Sequence, residues 1–181
     1  MRKIVVSEFV SLNGVMEEPA WTTPYWSDEI AKFKFDELFA SDALLLGRVT
    51  YEGFAAAWPS RTDEAGFADR MNNLPKFVVS TTLEKAEWNN SRLIKGNIVA
   101  EISDLKQQPG QNILVYGSGA LVNTLGQHDL IDEYNLLIYP VVLGKGKRLF
   151  EDGSTASLKL VETKTFSSGV VALIYQPAKK E

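Results

Sequence analysis

Two short stretches of this sequence carry residue types, at the right spacing, for holding an anion. Gly47-Arg48-Val49-Thr50 follows the apolar run Ala43-Leu44-Leu45-Leu46, and Gly117-Ser118-Gly119-Ala120 follows Ile113-Leu114-Val115-Tyr116. Glycine lets a backbone approach a ligand closely. Arg48 offers a fixed fork of donors, and Thr50 adds a hydroxyl. A helix starting at either place presents unpaired N–H groups and a positive dipole end, which suits phosphate. A third stretch, Ser80-Thr81-Thr82 after Phe77-Val78-Val79, adds hydroxyls at another strand end.

Each stretch also has a plainer reading. Gly47 and Arg48 would make a tight turn with a solvent-facing arginine. Ser80 and Thr81 would satisfy nearby backbone groups. Gly117 and Gly119 would ease packing of a helix on a sheet. The three ends say more together: on one rim they suit an elongated dinucleotide better than a single phosphate. A doubly wound G-x-G-x-x-G site is disfavoured, because Val122 stands at the third glycine and the segment near 140 is Tyr139-Pro140-Val141, without an acid.

Other chemistry-bearing residues lie in the loop from Ser11 to Trp26. Asn13 can orient a water or a substrate, and Glu17 and Glu18 are the nearest acids, alternatively read as exposed charges on a lid. Trp21, Tyr25 and Trp26 could stack on a flat heterocycle or plug the start of the next helix. Tyr139 is placed to close the far side of such a pocket. With no cysteine and a single histidine, His128, a transition-metal site is not expected. His128 reads as a helix C-terminal residue.

These residues need a framework, and the periodicity supplies one. Ile4 to Val10 reads as a strand. Ser27 caps a helix with Asp28 and Glu29 in its first turn and Ala31, Phe35, Leu38 and Phe39 on its apolar face. Ala43–Leu46, Phe77–Val79 and Ile113–Tyr116 read as strands buried on both faces, the habit of parallel sheets. Helices are expected from Thr50 to Trp58, after Asn97 (inward face Ile98, Ile102 and Leu105), and from Ala120 to near Gln127. Tyr134 to Leu143 reads as a long strand. Leu158–Phe166 and Val170–Tyr175 read as a hairpin around Ser167-Ser168-Gly169. The expected class is α/β: a three-layer, mostly parallel mixed sheet with helices on both faces and an antiparallel C-terminal hairpin.

The 181 residues, 45% hydrophobic, suit one domain spanning 1–181, with no linker or repeat. The net charge of −4, without a basic stripe, argues against nucleic acid; Lys145, Lys147 and Arg148 read as a solvated loop. No apolar run approaches the ~20 residues of a membrane helix. The cytoplasm is the expected compartment.

The sequence resembles the RibD C-terminal and dihydrofolate reductase superfamily over nearly its whole length. The resemblance rests on Ser11-Leu12-Asn13-Gly14, on Leu46-Gly47-Arg48-Val49-Thr50-Tyr51-Glu52, on Val78-Val79-Ser80-Thr81 and on Val115 to Leu121. The segment from Asp132 to Gly146 adds to it. It implies about eight strands, NADPH as cofactor, reduction of a pyrimidine, pterin or related heterocycle, and a homodimer. By position, it implies Gly47, Arg48 and Thr50 on the phosphate side of NADPH, Ser80 and Thr81 near the adenosine phosphate, Gly117 to Ala120 at the pyrophosphate, and the Ser11–Glu18 loop over the nicotinamide. The family's usual Ser-x-Asp-Gly reads Ser-Leu-Asn-Gly here, and asparagine cannot act as a carboxylate acid. That departure leaves a second reading open, a non-catalytic NADP(H) or nucleotide sensor. The pterin-binding carboxylate of the family falls in ambiguous register between Asp28 and Asp36.

Overall fold

A computed structural model describes residues 1–17 and 19–178. The eight strands are β1 (Ile4–Ser11), β2 (Ser41–Gly47), β3 (Lys76–Val79), β4 (Ser91–Ile94), β5 (Asn112–Tyr116), β6 (Glu133–Tyr139), β7 (Leu158–Thr165) and β8 (Val171–Pro177). They form one sheet in the order β4-β3-β2-β5-β1-β6-β8-β7. The six strands from β4 to β6 run parallel, and β8 and β7 close the edge antiparallel. Parallel neighbours need crossovers, and five helices supply all but the one from β3 to β4, which is the irregular segment 80–90: α1 (Asp28–Phe39), α2 (Arg48–Ala57), α3 (Phe67–Asn73), α4 (Ile98–Gln107) and α5 (Gly119–Gln127).

The central strands are buried on both faces, so their sequences are continuous apolar runs with no alternation. On one face Val6, Leu45 and Val115 pack against Ile102 of α4 and Leu121 and Leu125 of α5. On the other, Val5, Leu44, Leu46 and Leu114 pack against Leu38 of α1, Tyr51 of α2 and Met71 of α3. The expected three layers, eight strands and C-terminal hairpin are all present.

Several local expectations shift. Helix α2 begins at Arg48, not Thr50. Strand β6 stops at Tyr139 rather than Leu143, since Pro140 has no N–H to continue a ladder. Segment 19–25, read as loop, is a 3₁₀ turn, and α3 and β4, both short, were not anticipated. The buried stripe of α1 is Ile30, Lys34 and Leu38, so only Leu38 of the four expected inward residues is fully covered. Hydropathy alone cannot point a lysine inward; its charge is offset locally by Glu37, 2.6 Å away, and by Ser7 Oγ, also at 2.6 Å.

Candidate functional site

The C-terminal ends of β3, β2, β5, β1 and β6 lie side by side on one rim, because these five strands are parallel neighbours in that order. Ser80, Gly47, Gly117 and Ser11 are therefore brought together by topology, where open α/β sheets take their ligands.

At the middle of this rim two helices begin. Ser27 and Asn97 cap α1 and α4 with their side chains, but neither α2 nor α5 has a side-chain cap. Their first turns present unpaired backbone N–H groups instead. The two starts are zipped together: the Gly47 N–H donates to Ser118 Oγ at 2.9 Å, and the Ser118 N–H donates to Thr50 Oγ1 at 3.0 Å. Ser118 Oγ also donates to the Tyr116 carbonyl at 2.9 Å. Gly117 and Ser118 both adopt left-handed backbone, with φ of 53° and 62°. A Cβ on residue 117 would stand 2.7 Å from Thr50 Oγ1, so only glycine fits this turn.

The other predicted residues fall around this centre. Arg48 is half-exposed at the first turn of α2, where it pairs with Glu52 at 3.0 Å. Ser80 Oγ accepts from the Thr82 and Leu83 N–H groups, the local backbone role the hydroxyls suggested, and Thr81 is exposed. Ala120 is exposed in the first turn of α5, and Met16 of the β1 loop lies 3.4 Å from where a Cβ on Gly119 would stand.

The loop after β1 is strapped to residues 143–149. Asn13 Nδ2 donates to the Leu143 carbonyl at 2.7 Å, and its Oδ1 accepts from Ser11 Oγ and the Leu143 N–H. Glu17 accepts the Lys147 N–H at 2.9 Å, while Val15 bridges Arg148. Both polar residues of the loop thus hold it in place. Glu18 lies outside the described residues.

Tyr139 is completely buried at the end of β6, ringed edge-on by Phe9, Trp21 and Tyr25 at 5.4–5.9 Å. Its hydroxyl has no hydrogen-bond partner among the described residues, and burial pushes its pKa up. Trp21 and Tyr25 belong to this aromatic cage, whereas Trp26 stands apart, 54% exposed. Asp28 and Asp36 are exposed on α1, Asp36 paired with Lys32 at 2.7 Å. His128 is the C-cap of α5, at the helix C-terminus where the sequence placed it.

Sequence reading missed the polar groups beneath the rim. Lys34 pairs with Glu37 and lies over the Tyr116 ring, 4.3 Å from its centre, and Asn135 donates to Glu37 at 2.9 Å. Beside them Glu8 on β1 is 3% exposed. The available signal was a Ser-Glu pair interrupting an otherwise apolar strand. Among the described residues no group of three or more His, Asp or Glu side chains could hold a metal, and no helix is long and apolar enough to cross a membrane. A surface groove of about 630 Å³ lies beside α2, lined by Tyr51, Glu52, Leu83 and Trp88.

Comparison with known proteins matches this geometry. The chain is 34% identical over 178 residues to the uncharacterized protein YyaP of Bacillus subtilis, covering 96% of this chain and 94% of that one. A Shewanella sp. PV-4 structure, ascribed to riboflavin biosynthesis, superposes with a TM-score of 0.79 at 22% identity, over 98% of this chain and 99% of that one. Dihydrofolate reductase from Enterococcus faecalis, solved with NADP(H), superposes at 0.65 with 14% identity, over 98% and 97%. The profile of the RibD C-terminal domain matches residues 2–172, and the chain belongs to that family.

Proposed function

We propose that this chain is a cytoplasmic NADPH-dependent reductase of a small planar heterocycle, a pyrimidine, a pterin or a related compound. The observation that carries the reading is the pair of uncapped helix starts, α2 and α5, joined across the Gly47–Ser118 hydrogen bond on one rim. Their free N–H groups and dipole ends suit a pyrophosphate. The fold likeness to a reductase solved with NADP(H) supports the same assignment.

In this reading the backbone N–H groups of Gly119 and Ala120 and the Thr50 hydroxyl hold the phosphates, and Gly117 and Ser118 form the turn that presents them. Arg48 exchanges Glu52 for the adenosine phosphate, with Ser80 and Thr81 beside it. The bound dihydronicotinamide supplies the hydride. The protein's share is alignment and exclusion of water: the loop carrying Asn13 and Glu17 covers the glycine turn, and Met16 packs on Gly119. Trp26 and Asp28 border the substrate side, and Tyr139 backs it from beneath the Pro19–Tyr25 turn. A homodimer belongs to the same reading, and sedimentation of the purified chain measures it.

A second reading, a non-catalytic NADP(H) sensor, is favoured by one observation: both polar ends of the Asn13 amide are occupied by its own loop and strap. Purified chain should bind NADPH and consume it with some member of a panel of pterins, pyrimidines and quinones, followed by loss of dihydronicotinamide absorbance. Binding without consumption by any of them would favour the sensor. Absence of binding would contradict both readings.

A further inference from the structure

The ladder between β1 and β5 ends at the pair Ser7–Tyr116, yet β1 runs on to Ser11 beside β6 alone. A seam therefore opens in the sheet at Glu8, next to the left-handed turn that begins at Gly117. Glu8 is 3% exposed, and its Oε1 has no hydrogen-bond partner among the described residues. A buried acceptor left without a donor carries an uncompensated loss of hydration, so it calls for an explanation. Its closest charged neighbours, Lys34 and Glu37, are bonded to each other and to Ser7 and Asn135.

We propose that the Glu8 carboxyl is a specificity-determining group that docks the primary amide of dihydronicotinamide at the head of this seam. The inference rests on the NADPH reading above. A neutral carboxyl and a primary amide are complementary: the acid O–H donates to the amide oxygen, and the free acid oxygen accepts from the amide nitrogen. Burial pushes the Glu8 carboxyl well above the usual carboxylate range, against the pull of Lys34 and the Gly117 N–H, which favours the neutral form. Docking there would fix the ring at the point where β1 and β5 part, with the phosphates on the helix starts just beyond.

Calorimetric titration tests this with two probes, NADPH and adenosine 2′,5′-bisphosphate, which lacks the nicotinamide. Glu8→Leu should weaken NADPH binding by ~10-fold, the value of one to two hydrogen bonds, and leave adenosine 2′,5′-bisphosphate unchanged. Glu8→Gln, which keeps a donor and an acceptor, should restore most of the NADPH affinity. A comparison on the unaltered chain guards against misfolded variants: NADP should bind ~10-fold more tightly than its nicotinic-acid counterpart, whose carboxylate has no N–H to give. If Glu8→Leu binds NADPH as well as the parent, or if the amide and acid forms bind the parent equally, the inference fails while the NADPH reading stands. If the parent binds none of these probes, both fail together.

Discussion

Thr50 and residue 117 approach each other so closely that any side chain at 117 would collide with the threonine. A Cβ at that position would stand 2.7 Å from Thr50 Oγ1 and 3.2 Å from its Cγ2. That contact ties the start of α2 to the start of α5, since the same Oγ1 accepts the Ser118 N–H. Gly117→Ala meets both the clash and the positive φ. It should cost about 1–3 kcal/mol in a urea denaturation series and weaken NADPH binding at the same time. Parent-like stability with parent-like affinity would show that the turn is not what holds the two helix starts in register.

Arg48 is held by Glu52, an exposed i,i+4 pair worth little by itself. If the guanidinium is the adenosine-phosphate contact, removing its competitor should help binding. Glu52→Gln is expected to raise NADPH affinity by ~2-fold, given the small value of such pairs. Arg48→Ala should lower NADPH affinity and abolish any preference over NADH. Dissociation constants for both nucleotides check this, and an unchanged NADPH-to-NADH ratio in Arg48→Ala would remove the arginine from the site.

The Lys34–Glu37 pair is almost fully buried, with side-chain exposures of 8% and 5%. Breaking one partner of such a pair strands the other charge. Lys34→Met should therefore destabilise the chain by about 3–5 kcal/mol, while Lys34→Met combined with Glu37→Leu should recover much of that loss. Chemical denaturation of the single and double variants gives the comparison. A double variant less stable than the single one would mean the pair matters through Ser7 and Asn135 rather than through charge.

Glu8 sets a pH dependence of stability whose sign follows from its environment. Its carboxyl is raised above the ordinary value of 4.5 by burial, so above that pH the folded state binds the proton that the unfolded state has released. Its stabilising contribution is complete below 4.5 and is lost as pH rises toward the folded value; Lys34 opposes the shift and Glu37 adds to it. Glu8→Gln has no proton to lose there. Its stability relative to the parent should increase as denaturation is repeated from acid toward neutral pH, and a constant difference would show that Glu8 is ionised in the fold.

The parallel sheet was legible in the sequence because strands covered on both faces must be apolar throughout, as Ala43–Leu46 and Ile113–Tyr116 are. Caps at Ser27 and Asn97 were readable for the same local reason: their side chains accept from Ile30 and Ala100 N–H groups three residues on. The adjacency of the Gly47 and Gly117 loops was inferable from strand–helix alternation. The bond between Gly47 and Ser118 was not, because it spans 71 positions of sequence. Lys34, Glu37, Asn135 and Glu8 escaped notice because a buried polar residue on an apolar face looks like a break in the pattern until its partners are placed. Asn13 was readable as a polar loop residue but not as the staple to Leu143, 130 positions away.

The central claim is that the starts of α2 and α5 jointly receive the anionic half of a nicotinamide dinucleotide. The most direct measurement is amide-resolved NMR during titration with NADPH. The backbone N–H signals of Arg48 to Tyr51 and of Ser118 to Leu121 should shift first and furthest, in parallel and with one affinity. Shifts confined to Leu83, Glu87 and Trp88 of the neighbouring groove, or an unchanged spectrum at saturating nucleotide, would contradict it.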